Sequence, residues 1–129
     1  MSIHVAWDDD NHTLIRWDFE TDWHWDDFRA AFEKSVEMGG SVGYRVDVIP
    51  FAAATVKLPL GALGEFNRLH RQLPDNVGLI VIAGGSPFTN MIISTFASLN
   101  RISSWRTAPT LQDARALILA DRIVSPKQK

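Results

Sequence analysis

Residues 77–88, V-G-L-I-V-I-A-G-G-S-P-F, constrain the fold of this chain more than any other stretch. The segment stays apolar through Ala83, without polar alternation, before a glycine pair and Ser86-Pro87 open a new pattern. A strand with no polar face is buried on both sides, which points to a parallel sheet with helices above and below. The chain is therefore expected to be an α/β domain, with Leu79–Ile82 sandwiched between helical layers.

The neighbouring segments fit that layout. Residues 3–7 alternate Ile3, Val5 and Trp7 against His4 and Ala6; residues 13–19 alternate Ile15, Trp17 and Phe19 against Leu14, Arg16 and Asp18. Period two marks strands. Asp8-Asp9-Asp10-Asn11-His12 is turn chemistry, so a hairpin with a solvated turn is expected. Three adjacent carboxylates cannot all face one ion, so the run is not read as a calcium loop. Trp25, Phe28, Phe32 and Val36 then form one helical stripe. Asp26 and Asp27 suit the positive end of its dipole, Thr21, Asp22 or His24 supplies the cap, and Gly39-Gly40 is expected to stop it.

Tyr44–Pro50 reads as the third strand, with Val46 and Val48 on one face and Arg45, Asp47 and Ile49 on the other. A carboxylate in mid-sheet must be paired, and Arg16 or Arg45 is the expected partner of Asp47. Residues 51–60 make a long connection of the kind that often binds. Gly61–Leu73 returns to helix, with Ala62, Leu63, Phe66, Leu69 and Leu73 inward. Phe88–Ile102 is a helix with Phe88, Ile92, Phe96 and Leu99 as its core stripe. Trp105–Ala108 is a short strand. Thr110, with Asp113, caps a last helix that buries Ala114, Leu117 and Ile118. The expected architecture is a mixed, mostly parallel five-stranded sheet with about four helices, in the order β-β-α-β-α-β-α-β-α. Residues 1–123 form one domain and 124–129 a tail.

Composition removes several function classes. The chain has no cysteine, which excludes disulfides, thiol catalysis and thiolate zinc sites. Its net charge is −2, and its basic residues are scattered apart from Arg68, Arg71 and the tail lysines Lys127 and Lys129. Nucleic acid needs clustered cations, so no nucleic-acid partner is expected. No apolar run approaches the ~20 residues of a membrane helix. The opening Met1-Ser2-Ile3-His4 lacks a signal-peptide pattern, so the expected location is cytoplasmic.

Catalytic signatures are missing. Gly84-Gly85-Ser86 lies between strand and helix, where an anion can bind. It lacks both the G-x-G-x-x-G spacing and a following Lys-Ser/Thr, and a tight turn accounts for the glycines. Ser86 is not in a G-x-S-x-G elbow. The four histidines, His4, His12, His24 and His70, show no metal-ligand spacing. The chain is read as non-enzymatic, with no cofactor and no metal. Five tryptophans in 129 residues are many; Trp7 and Trp17 lie on strands, Trp23 and Trp25 flank the first helix start, and one of this last pair is a candidate to be exposed and mark a contact surface or a pocket lid.

The element order, together with W-D-D-F-R-A-A-F-E on the first helix, Y-R-V-D-V-I on the third strand and G-L-I-V-I-A-G on the fourth, resembles the STAS domain (sulfate transporter and anti-sigma-factor antagonist, SpoIIAA-like) over about residues 3–122. The resemblance implies a regulatory, protein-binding module. In phospho-regulated members the second helix opens with Asp-Ser-Ser-Gly, and its first serine is phosphorylated. Here Gly61 corresponds to the glycine, and Leu58, Pro59 and Leu60 stand where Asp-Ser-Ser would be, with Phe51 near the strand-end Asp. The phosphorylation switch is therefore not carried over.

Two functions are expected from this. The first is a protein-binding module acting through the βα loops at the carboxyl ends of the parallel strands, with Lys57, Leu58, Pro59, Leu60, Gly61, Gly84, Gly85 and Ser86 as its binding residues and an unidentified protein as partner. The alternative is a small-ligand or lipid-binding domain with a tryptophan-lined pocket between the first helix and the sheet. A homodimer through an edge strand or an apolar helix face is compatible with either.

Overall fold

The computed structural model describes residues 2–124. Its elements are β1 (Ile3–Trp7), β2 (Leu14–Phe19), α1 (Trp25–Gly40), β3 (Val46–Ala52), α2 (Ala62–Arg71), β4 (Val77–Gly84), α3 (Pro87–Leu99), β5 (Trp105–Ala108) and α4 (Leu111–Val124). The strands lie side by side in chain order, β1-β2-β3-β4-β5. The β1–β2 hairpin is antiparallel and all later pairs are parallel. Residues 125–129, most of the expected tail, lie outside the described residues, and Val124 closes α4.

Parallel connections are right-handed, so strands added always in the same direction put their crossover helices on one face. Phe28 of α1, Phe66 of α2 and Ile93 and Phe96 of α3 accordingly share a core with Ile15, Trp17, Val46, Val48, Ile80, Ile82 and Trp105 of the sheet. Among the described residues the other face carries α4 alone, where Ala114 and Ile118 meet Leu14, Ile49, Leu79, Val81, Ala83 and Ala108. Alternate residues of β4 serve opposite cores, which is why that strand has no polar face.

Asp47 sits within the α4 layer and is fully buried. The β3–β4 register slips between Val46 and Val48, and the Asp47 carboxylate accepts the Leu79 N–H at 2.6 Å. It also accepts from Arg45 Nε at 3.0 Å and Arg122 Nε at 2.8 Å. Arg45 is thus the partner expected, whereas Arg16 is not. Arg16 pairs with Asp18 at 2.9 Å and lies over the Phe51 ring, and Arg122, from the far end of the chain, takes its place. Gly78 is a glycine for a packing reason: a Cβ there would stand 2.2 Å from Arg45 Nε and 2.4 Å from Asp47 Oδ1. Burial alone would lower the Arg45 pKa, but Asp47 and Asp121 outweigh it and hold the guanidinium above its ordinary value.

Several sequence expectations are corrected. The aspartate turn is not simply solvated. Asp8 accepts two bonds from Arg115, at 2.8 and 2.7 Å, and Asp9 accepts from Thr13 N at 2.9 Å, Leu14 N at 3.0 Å and the Thr13 hydroxyl. Burial pushes the Asp9 carboxyl up, yet those bonds and Arg122 hold it below its usual value. Gly39-Gly40 does not stop α1 but forms its last turn, with Gly39 buried and its carbonyl accepting from Asn76 Nδ2 at 3.1 Å. The α3 stripe is rotated: Ile93 and Phe96 are buried while Phe88 and Leu99 are exposed. From Pro87 to Leu99 there is no charged residue, so several stripes are equally apolar and periodicity alone could not choose among them. Leu63, expected inward, is also exposed.

Candidate functional site: an apolar slot under α1 and α2

α1 turns Phe28, Ala31, Ser35 and Gly39 inward. Three of these four are small, so the helix cannot fill the space above the sheet by itself. The large side chains interlock across the layer. Trp17 meets Phe28 edge-on at 5.3 Å, Phe28 lies 6.0 Å from Phe66, Phe66 lies 5.5 Å from Trp105, and Trp105 lies 4.8 Å from Phe96. Trp17 Nε1 donates to Ser35 Oγ at 2.7 Å, fixing α1 over β2. Rigid aromatic props on a floor of β-branched residues leave space that side chains do not close.

That space is a cavity of about 80 Å³. Its floor includes Ile15, Val46, Val48, Ile80 and Ile82, and its roof includes Phe28, Phe32, Val36, Phe66 and Leu69. Val56, Lys57 and Leu58 of the β3–α2 loop, with Gly85 and Thr89, lie at the carboxyl end of the strands; Leu73, Pro74 and Val77 lie at the other end. The lining is almost wholly apolar, and Lys57, an exposed residue, is the only charged residue that borders it. Two contacts fasten the roof where α1 meets the second helix and its loop: Trp25 Nε1 donates to Leu60 O at 2.7 Å, and Arg29 Nη2 pairs with Glu65 Oε2 at 2.6 Å. A second hollow, about 230 Å³ and bordered by Arg29, Glu33, Glu65 and Arg68, lies between α1 and α2 and shares Phe28, Phe32 and Leu69 with the first.

The expected binding residues separate into three groups. Lys57 and Leu58 line the cavity, as does Gly85, and Pro59 is half-buried. Leu60 projects from the loop, 96% exposed, while Gly61 starts α2 at φ +90°, a conformation that favours glycine. Gly84, Gly85 and Ser86 spend their polar groups on the fold. Gly85 N donates to Ala52 O at 2.8 Å, and the Ser86 hydroxyl accepts the Thr89 N–H at 3.1 Å. A Cβ on Gly84 would lie 2.3 Å from Ala52 O, and its φ is +73°, so this glycine serves a close backbone approach. Trp23 and Trp25 both pack, neither being exposed. The indole N–H of Trp23 is buried without a hydrogen-bond partner. Among the described residues no three His, Asp or Glu side chains gather to hold a metal, and no helix is long and apolar enough to cross a membrane.

Phe66 and Leu69 were legible as inward residues of the second helix, not as cavity walls, and Ile93 was not legible, since the expected α3 stripe ran through Ile92. The sequence signal was the alternation placing Val46 and Val48 on one face; the missing information was that α1's inward residues are small.

His70 borders this layer. It accepts a hydrogen bond from Trp105 Nε1 on Nδ1 at 3.1 Å, which fixes the neutral form with its proton on Nε2. Burial lowers its pKa below the ordinary 6.5. The unfolded chain therefore binds more protons than the folded one between those two values, and stability falls as pH drops below about 6.5. Melting temperatures taken from pH 7.5 down to 5 are expected to decline more for the wild type than for His70→Gln, whose side-chain oxygen still accepts from Trp105; parallel declines would refute the assignment.

No family model, curated protein or solved structure matches the chain.

Proposed function

We propose that this chain is a non-enzymatic, STAS-like binding domain that holds a small apolar molecule in the slot between the sheet and the α1–α2 roof. The observation that carries this reading is the cavity itself, an unfilled space of about 80 Å³ with almost no polar lining in a domain of this size. Natural cores leave few voids larger than a water, and apolar cavities of this kind stay dry and take up apolar guests. Trp17, Trp23 and Trp105 line it, so occupancy reports directly on tryptophan fluorescence. Titration with xenon under pressure is expected to quench tryptophan fluorescence saturably, and a nucleotide panel to leave it unchanged. No saturable quenching by xenon would overturn the reading.

The protein-binding reading has a separate support. Leu60 is 96% exposed, and its carbonyl is held by Trp25. A large apolar side chain presented on a fixed loop is a natural protein contact. The two readings meet at one loop, since Lys57 and Leu58 line the slot three and two residues before Leu60. A ligand at the slot's end would alter the segment that presents Leu60 to a partner. Self-association is the third element of the proposal, and the uncharged outer face of α3, with Phe88, Met91 and Leu99 exposed, would bring no like charges together across a two-fold axis.

A further inference from the structure

We propose that the outer face of α4 is a two-fold contact, at which a second copy of this chain packs antiparallel against the first. This rests on the self-association proposed above and adds a contact on the opposite side of the sheet from α3. A surface helix normally buries its aliphatic side chains and shows its charges to water. α4 does much of the reverse. Three of its four charged residues turn back to the body of the protein. Arg115 donates to Asp8 at 2.8 and 2.7 Å, Arg122 Nε donates to Asp47 at 2.8 Å, and Asp121 accepts from Arg45 at 2.9 Å. The side facing water carries Ala116, Leu119, Ala120 and Ile123, with Leu119 59% and Ile123 83% exposed. These four positions share about 100° of arc on an α-helix. Ala114 and Ile118 are buried on the other side. A helix apolar on two sides has the pattern of one that lies between two layers.

The pattern selects a second copy as the partner. The spacing of Ala116, Leu119, Ala120 and Ile123 reads the same in both directions, and the residues alternate small, large, small, large. A two-fold axis between residues 119 and 120 sets Leu119 over Ala120 of the second copy, and Ile123 over Ala116 of the second copy. Every large side chain then meets a small one, as close helix packing requires, and the surface complements itself, as a two-fold contact must. Charge agrees with shape. Asp113 is exposed in the first turn of α4, and in the sequence Lys127 and Lys129 continue from its other end. Antiparallel packing brings the acidic start of each helix to the basic end of the other, with the two helix dipoles opposed. The outer face of α3 is also uncharged, but exposed Ser94, Thr95 and Ser98 interrupt Phe88, Met91 and Leu99. The α4 contact is therefore the tighter of the two.

Sedimentation equilibrium on the full chain tests the contact. A single helix pair is a small interface, so dimerisation is expected in the micromolar range. Ala120→Leu adds apolar surface, yet it should weaken the dimer about tenfold or more, because two leucines then collide across the axis. Leu119→Ala should weaken it by a similar factor, through the void it leaves. The double variant Leu119→Ala with Ala120→Leu again sets one large residue against one small one, and should return to within about threefold of wild type. Both positions are exposed and exchange strong helix formers, so every variant is expected to fold, with unchanged circular dichroism as the check. Met91→Glu, on α3, should leave the dimer intact. An Ala120→Leu chain that associates more tightly, or a double variant as weak as the single ones, would overturn the α4 contact. Loss of the dimer in Met91→Glu with the α4 variants unaffected would also overturn it, while leaving self-association through α3 standing. A wild type that stays monomeric at ~1 mM would overturn self-association itself.

Discussion

Asp47→Ala is expected to cost about 3–5 kcal/mol of folding stability, the penalty for stripping one partner from a buried ion cluster. Domains of this kind have about 5–15 kcal/mol in total, so the loss should lower the melting temperature by about 10–20 °C. Asp47 is fully buried and answers three donors at once: Arg45, Arg122 and the Leu79 backbone N–H. Alanine leaves two guanidinium groups short of their counter-charge and a buried amide without an acceptor. Arg45 retains Asp121 at 2.9 Å, and Arg122 retains the Thr13 carbonyl at 2.9 Å, so the damage stays below complete loss of both cations. Asp47→Asn keeps an acceptor for Leu79 while deleting the charge, and its cost should fall between wild type and alanine. Urea denaturation followed by circular dichroism measures all three. An alanine variant within about 1 kcal/mol of wild type would show that the cluster contributes little.

Asp47 also marks how far the sequence could be read. Its position on the face opposite Val46 and Val48 followed from strand alternation, and the need for a partner followed from the cost of burying a charge. Arg45, two residues away on the same strand face, was accessible to that reasoning. Arg122 was not, because the pairing depends on α4 crossing back over β3, and nothing local encodes it. The same division holds elsewhere. The β4 run encoded burial on both faces, and element order followed from periodicity and punctuation at Gly84-Gly85 and Pro74. The phase of α3 did not follow, because a helix without charged residues offers no polar face to fix its rotation. The pocket between α1 and the sheet was legible only as a possibility raised by the tryptophan count. What creates the space is the coincidence of Ala31, Ser35 and Gly39 on one line of α1 above Trp17 and Val48, a relation between two elements.

That relation gives the sharpest experiment on the slot. Val48 lies at the middle of the floor, paired with Ile15 on one side and Ile80 on the other. Val48→Phe places a ring into the empty space, and the affinity for xenon is expected to fall about tenfold or more, equivalent to at least ~1.4 kcal/mol of binding. Stability should change by no more than about 1–2 kcal/mol, because filling a void returns contacts that offset the strain of the larger side chain. Val81→Phe is the contrast. Val81 is fully buried, one strand over, and faces α4, where it lines neither hollow. There the same chemical change meets close packing and should cost about 1–3 kcal/mol or more, while the slot opposite keeps its ligand. A Val48→Phe protein that is as unstable as the Val81→Phe protein, or that still binds xenon at wild-type strength, would mean that the space under α1 is filled in solution and that no apolar guest resides there.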